Sequence, residues 1–403
     1  MNSDTASSVA VRSGGAEDSR SRTHLHVLTL TPFYPSAEDE VRGCFVAETL
    51  RELAKLGVAS SVIAVDSMYH ARKHASEGTP AEWMRYPQLP GNFGLSSAGN
   101  VLGAMLLPRV KQLHRKSAIS VLHAHAALPC GHAAAFLSKR LKIPFVVTVH
   151  GLDVFNSCFQ QGIAARWRRK ASSAVYQRAH QVICISEKVQ RLLADGMRGA
   201  VSSKVIYNGT DPNQFAPGAT QDQAPTILIV GNLLLGKGHE LVLRALASLR
   251  GAHPGLQCRI IGEGADRNRF ARLSRDLAVE DQVHFLGRQS RSQVADAMRS
   301  CTVFVLPSRY EGLGCVYLEA MSCGKPVVGC RGQGIDEIIE QGVNGWLIPV
   351  DGLEELVRGL RILLDDFTLR VRIGQAARRT ILDRLSLSHQ AQSLLKVYEE
   401  AAQ

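Results

Sequence analysis

Val305–Val328 reads VLPSRYEGLGCVYLEAMSCGKPVV. A short apolar strand, Val303–Leu306, runs into a loop, and the loop runs into a helix. Glu311 sits in the loop, and Gly312 and Gly314 leave the backbone uncrowded at the turn. Bare amides at a helix start form a ready anion site. Glu319 follows Glu311 by eight positions, inside the helix. The two carboxylates are then at most about 12 Å apart, at ~1.5 Å of rise per helical residue. Such a span suits a sugar ring, a diphosphate and a ribose laid end to end. One carboxylate can hold sugar hydroxyls, the amides a diphosphate and the other carboxylate a ribose. A helix that carries two surface glutamates fits the same pattern.

A chain of 403 residues is long for one core and points to two or three domains. Hydrophobic residues at 45% and charged residues at 21% fit a globular protein. The longest apolar run, Val101–Leu107, ends at Pro108, short of the ~18–20 residues that span a bilayer. Residues 1–23 lack the apolar segment of a secretory signal and are expected to form a disordered extension. The nine cysteines show no CxxC pair and no zinc-like spacing. Cys184, Cys258, Cys301 and Cys323 fall in expected strands or helices, as buried reduced thiols do. An odd count in so long a chain argues against a disulfide framework, and a cytoplasmic location is expected. The net charge of +11 is uneven: residues 1–210 hold 25 Lys+Arg and 14 Asp+Glu, whereas 211–403 hold 22 of each. Such a field recruits nucleic acid, anionic lipid or anionic substrates.

Strands and helices alternate almost throughout, the rhythm of an α/β fold with parallel sheets. Strands are expected at 24–30, 60–65, 120–123, 145–150, 181–185 and 204–207, so that 24–207 forms one domain. Residues 208–225, rich in Gly, Pro, Asn and Asp, read as a linker. The rhythm restarts at Thr226–Val230, with further strands at 257–261, 283–286, 303–306 and 326–329, so that 226–384 forms a second domain. Residues 385–403 are read as a helix. In doubly wound sheets ligands bind beyond the carboxyl ends of the strands, so two such edges facing each other make a cleft.

More polar residues fall at those edges. Val230–Gly238 (VGNLLLGKG) places Lys237 at a helix start, where a cation opposes the helix dipole unless an anion intervenes. Thr148–Val154 (TVHGLDV) places His150 at a strand end, with Asp153 as the only acid within 83–186. A structural histidine there would read the same. Thr31–Gly43 (TPFYPSAEDEVRG) is a polar loop ending in Gly43, which a plain capping glycine also explains. Ile260–Gly264 (IIGEG) ends a strand in G-x-G, and GQGIDE (332–337) and GVNGWLIP (342–349) follow. His123 and His125 have no third ligand at metal-binding spacing.

Together these stretches resemble family 4 of the retaining nucleotide-sugar glycosyltransferases, the two-Rossmann-domain (GT-B) kind with an E-x7-E motif. The similarity runs from about residue 26 to about residue 395 and is densest over 226–350. It implies two doubly wound Rossmann-like domains facing across a cleft, with the C-terminal helix returning to the first. The second domain would bind a nucleotide-diphosphate sugar, and the first a glycan, lipid-linked or other acceptor. By the same resemblance Glu311 orients the donor sugar and His150 lies beside it, the two catalytic candidates. Gly43 would cover the donor phosphates and Lys237 would hold them. Asn232 stands where the family has an arginine, so the diphosphate leans on Lys237 and on the helix amides. Gly262 and Glu263 would lie near the base, the run Gly312, Leu313, Gly314, Cys315 and Val316 against the diphosphate, and Glu319 against the ribose. The double glycine usual near Gly43 is absent. No metal and no cofactor are implied, and the chain has no DxD motif.

A nucleotide-sugar epimerase of the same fold and a non-catalytic scaffold stay open at this point. A dehydrogenase does not, because no GxGxxG follows the first strand. The family link points to polysaccharide or cell-envelope glycan synthesis. The basic first half then points to an anionic or membrane-borne acceptor and to a peripheral site on the inner face of an anionic membrane. Ile163–His180 sets Ile163, Trp167, Ala171, Ala174 and Val175 at near-helical spacing among Arg166, Arg168, Arg169 and Lys170. A packed helix with a solvated basic face reads the same way. No nucleic-acid-binding motif is present, and no nucleic-acid partner is expected.

Overall fold

The computed structural model describes residues 25–36, 39–68, 81–88, 94–158, 161–197, 201–218 and 224–403. The extension expected over 1–23 lies outside them. Among the described residues, the first domain has seven parallel strands: β1 (His26–Thr31), β2 (Ala59–Ser67), β3 (Ala81–Tyr86), β4 (Val121–His125), β5 (Phe145–Val149), β6 (Gln181–Cys184) and β7 (Ser203–Val205). Their order is β3-β2-β1-β4-β5-β6-β7. The crossovers carry α1 (Cys44–Lys55), α2 (Leu95–Lys116), α3 (His132–Leu141), α4 (Leu152–Cys158), α5 (Ile163–Tyr176) and α6 (Glu187–Gly196). Central strands such as FVVTV at β5 are buried along their whole length, as parallel strands covered on both faces are. The period of two still sorts them. Val27, Val62, Val121, Val146 and Ile183 share one core cluster, and Leu28, Ile63, Leu122, Val147 and Val182 the other.

The second domain repeats the plan with β8 (Thr226–Val230), β9 (Gln257–Ile261), β10 (Val283–Gly287), β11 (Val303–Val305), β12 (Val327–Cys330) and β13 (Trp346–Ile348). These are parallel, in the order β10-β9-β8-β11-β12-β13. Helices α7 (His239–Leu249), α8 (Arg267–Asp276), α9 (Arg291–Ser300), α10 (Cys315–Ser322), α11 (Leu353–Asp365) and α12 (Phe367–Arg384) flank the sheet. Strand order reverses between β8 and β11, so the loops leaving these two strands border the ligand crevice of the fold. They carry Lys237 and Glu311.

The last helix, α13 (Leu387–Ala402), returns to the first domain. Ala391, Leu394, Val397 and Tyr398 join the cluster of Val27, Val46 and Leu50. The two crossings between domains run side by side. Thr210 N–H donates to Leu385 O at 3.1 Å, and Leu387 N–H to Thr210 O at 3.0 Å. A Cβ on Gly209 would lie 2.4 Å from Ser386 O, so the close pairing requires glycine. The stretch expected as a linker is therefore partly built in: Phe215 is fully buried.

Candidate active site

The loop after β11 meets α10 at Gly314, which takes a φ of 82°. A Cβ there would sit 2.6 Å from the Tyr317 ring and 2.9 Å from Glu311 Cγ, so only glycine lets the chain turn. Among the described residues, no acceptor in the chain meets the amides of Cys315 and Val316. Lys237 lies in a tight turn, Leu235–Lys237, and α7 begins two residues later than expected, capped by Gly238. A Cβ on Gly238 would lie 2.2 Å from Pro307 O, so that turn lies directly on the β11 loop. Lys237 Nζ donates to Glu311 Oε2 at 2.6 Å. The conflict between lysine and helix start is thus met by Glu311.

The first domain reaches the same loop. Ser186 Oγ donates to Gly312 O at 2.6 Å. Glu337 accepts the amides of Glu187 and Lys188, at 2.8 and 2.5 Å, and the Tyr207 hydroxyl at 3.1 Å. Lys188 Nζ donates to Gln333 Oε1, which also takes the Glu311 amide at 2.9 Å. The ammonium lies 4.9 Å from the centre of the Tyr310 ring. Burial lowers the Lys188 pKa, opposed by Glu311 and Glu337.

His150 follows β5 at the cleft. A Cβ on Gly312 would lie 2.9 Å from His150 O, so the backbones of the two domains touch here. Asp153 fixes this turn, accepting the amides of His150 at 3.1 Å and Val154 at 3.0 Å. Burial raises Asp153 to about 6. His150 Nε2 lies 3.0 Å from His125 Nδ1, and the rings stack. His125 stacks in turn on His123, whose nitrogens meet Thr148 Oγ1 and Tyr398 Oη, each at 2.7 Å. The three rings thus form a ladder behind the cleft. Burial lowers His150 to about 4, His123 to about 3, and His125 well below its ordinary value, so all three are neutral at pH 7.

Glu319, expected to lie against a ribose, is almost wholly buried. Its side chain is 5% exposed, and Oε1 takes Arg291 Nη1 at 2.5 Å. Arg291 also donates to Glu48 Oε1 of α1, through Nε at 3.2 Å and Nη2 at 2.8 Å. Burial raises the Glu48 pKa, and Arg291 opposes it. Gly43 adopts a φ of 70°, and a Cβ there would lie 2.3 Å from Phe33 C. The fold of its own loop therefore already demands glycine. The following residue, Cys44, lies near Arg291 and Cys315, and Cys315 Sγ accepts from Asn208 Nδ2 at 3.4 Å. Burial pushes the Cys315 thiol up to about 12.

The remaining expected residues are less directly placed. Leu313 is 1% exposed, so it offers the cleft only its backbone. Asn232 is exposed on the loop after β8. Gly262 packs where a Cβ would lie 2.0 Å from Gly231 O, and exposed Glu263 meets Arg288 at 3.4 Å. Arg291, Glu48, Lys188 and Gln333 were not foreseen. Arg291 carried the signal that marked Lys237: a cation in the first turn of a helix.

Residues 44–214 match the model described as Glycosyltransferase Family 4, and residues 210–380 the model described as Glycosyl transferases group 1. A D-inositol 3-phosphate glycosyltransferase of Kribbella flavida is 28% identical over 364 residues, covering 83% of this chain and 84% of its own. An uncharacterized glycosyltransferase of Methanocaldococcus jannaschii is 27% identical over 293 residues, covering 72% and 78%. Among solved structures, sucrose-phosphate synthase from Thermosynechococcus elongatus aligns with a TM-score of 0.74 at 20% identity, over 93% of this chain and 98% of its own. HepE of Anabaena, solved with UDP and glucose, aligns with a TM-score of 0.73 at 21% identity, over 94% and 100%. These structural likenesses carry the GT-B fold. Two family models that meet end to end across both domains carry the rest: the chain belongs to the family 4 (group 1) glycosyltransferases and is a glycosyltransferase.

Proposed function

We propose that this glycosyltransferase takes a sugar from a nucleotide-diphosphate donor, with retention of configuration, and passes it to an anionic or lipid-carried glycan acceptor. One observation carries the reading. The Lys237–Glu311 pair lies beside the open amides of α10, and the His150 turn of the other domain touches the same loop. The second domain would hold the donor and the first the acceptor. Lys237 and the amides of Cys315 and Val316 would meet the charge that builds on the leaving diphosphate, so the reading assigns no metal and no cofactor. Glu311 would hold sugar hydroxyls, and neutral His150 would bond the sugar without adding charge. The leaving phosphate would take the acceptor proton on the face from which it departs. Relatives support the substrate classes by analogy: HepE holds UDP, and the Kribbella relative is named for D-inositol 3-phosphate, an anionic acceptor.

The surface of α4 and α5 favours a membrane-borne acceptor. Ile163 is 66% and Trp167 58% exposed, instead of packing as a core stripe, and Leu152 and Phe155 of α4 are exposed as well. Arg166, Arg169 and Lys170 line a surface cavity on α5. Apolar rings among cations suit an anionic interface. Among the described residues no helix is long and apolar enough to cross a membrane.

A panel of nucleotide sugars screened by thermal shift tests the donor class, since a ligand that binds the native state raises its melting temperature. The anomeric configuration of the product, read by NMR, tests retention. An inverted product, or a chain that none of the panel stabilises, sinks the reading.

A further inference from the structure

Glu319 Oε2 is buried and has no hydrogen-bond partner, while Oε1 is held by Arg291. A carboxylate oxygen is rarely left so, because its desolvation is not repaid. The cluster is also short of donors as a whole. One guanidinium serves two buried carboxylates, Glu48 and Glu319, and the three groups carry a net negative charge. The guanidinium is fixed from another side by the Phe215 ring, 4.8 Å from its carbon. What the cluster lacks is a hydrogen-bond donor directed at Glu319 Oε2.

The same arginine joins the domains. Glu48 belongs to α1 of the first domain, and the Arg291 amide donates to Glu40 Oε1 of the loop before it at 3.1 Å. Arg288, one turn earlier, meets Asp39 at 2.6 Å. The loop into α9 and its first residue therefore grip the first domain through three acids, and one of these bonds shares its guanidinium with Glu319.

We infer that Arg291 is a positioning residue for the nucleotide: it holds Glu319 by one oxygen so that the other takes a ribose hydroxyl, and through Glu48 it couples that grip to closure of the domains. The inference rests on the reading of Glu319 as the ribose carboxylate. A planar fork is required, since it alone can serve Glu48 and Glu319 together, whereas a lysine is a single point charge.

Calorimetric binding of UDP, ADP and GDP to the full chain, each against its 2′,3′-dideoxy form, tests this. The wild type should hold the ribose form of its preferred nucleotide about 10-fold or more tightly, the worth of a hydrogen bond to a charged group. Arg291→Gln should bring that ratio close to one, and Arg291→Lys should keep part of it. Because Arg291→Gln leaves two buried carboxylates unpaired and can fail to fold, Glu48→Gln gives an independent answer. It leaves the Arg291–Glu319 pair in place and weakens the bridge to an uncharged hydrogen bond, so the ratio should survive while affinity for the sugar donor falls by several-fold. An unchanged ratio in Arg291→Gln, tighter nucleotide binding in that variant, or a ratio abolished by Glu48→Gln overturns the inference. Nucleotide binding without ribose discrimination in the wild type removes this inference alone. A wild type that binds none of the three removes the nucleotide-sugar reading as well.

Discussion

Glu311 is paired with Lys237, so neither lies bare in the cleft. On the proposed reading, Glu311→Gln keeps the shape but weakens the hold on sugar hydroxyls. Its kcat/KM should fall by about 10²–10³, the scale of a lost charge-stabilising contact, with melting little changed. Steady-state kinetics and a thermal melt separate these effects. Asn232 makes the opposite case. It is exposed and uncharged, so Asn232→Arg should add a second cation and lower the donor KM about 10-fold. An unchanged KM would place position 232 away from the phosphates. Glu311 and Lys237 are 74 positions apart, yet each stands in a short motif of its own that the sequence displays. Arg291 and Glu48 are 243 positions apart and Lys188 and Gln333 are 145 apart, so only the folded sheets bring them together.

At the scale of elements, the start of α6 is capped from the other domain. Glu337 accepts the amides of Glu187 and Lys188, where a helix N-terminus favours an anion. Glu337→Ala should release both, and their hydrogen exchange should quicken by about 10-fold or more, as expected for charge-assisted bonds. Exchange mass spectrometry over 186–192 reads this directly, and unchanged rates would show that the cap carries no weight. The element pattern itself was largely readable, because buried parallel strands are continuous apolar runs. β3 (AEWMRY) was missed because it is an edge strand that carries Glu82 and Arg85, and β13 because it is a short edge strand directly after the Asn344-Gly345 turn signal. α2 runs on through Pro108, since Leu102, Leu106 and Val110 keep one buried face at helical spacing.

For the whole molecule, pH sets a measurable balance. His123, His150 and His239 are lowered to about 3, 4 and 4, and His125 lies well below its ordinary value. The unfolded chain binds protons at these sites below about pH 6.5 while the native chain does not, so stability present above that pH is lost as it falls. Asp153, raised to about 6, works the other way: its contribution is full below its unfolded value and fades as pH rises through about 6. Glu48, whose pKa burial also raises, works in the same sense as Asp153, and four histidines outweigh these two acids, so urea midpoints should drop between pH 6.5 and 4.5. His239 stacks on Phe270 with neither ring nitrogen bonded. His239→Phe should remove one proton from that slope, about 1.4 kcal/mol per pH unit. An unaltered slope would mean that His239 titrates normally in the native state. The membrane reading is tested at this scale too. Wild type should float with anionic vesicles at low salt, and Trp167→Glu should float less. Equal partitioning to neutral and anionic vesicles would refute it.

The return of α13 has a consequence for how the protein is made. Five of its side chains, Ala391, Leu394, Val397, Tyr398 and Ala401, complete a cluster whose other buried members lie between residues 25 and 206. During synthesis, the first half of the chain emerges with that greasy face uncovered and stays so until nearly 200 more residues have been added. A nascent chain stalled anywhere before residue 387 should therefore engage holding chaperones, and a recombinant piece comprising the first Rossmann sheet alone should precipitate unless the missing helix is supplied as a peptide.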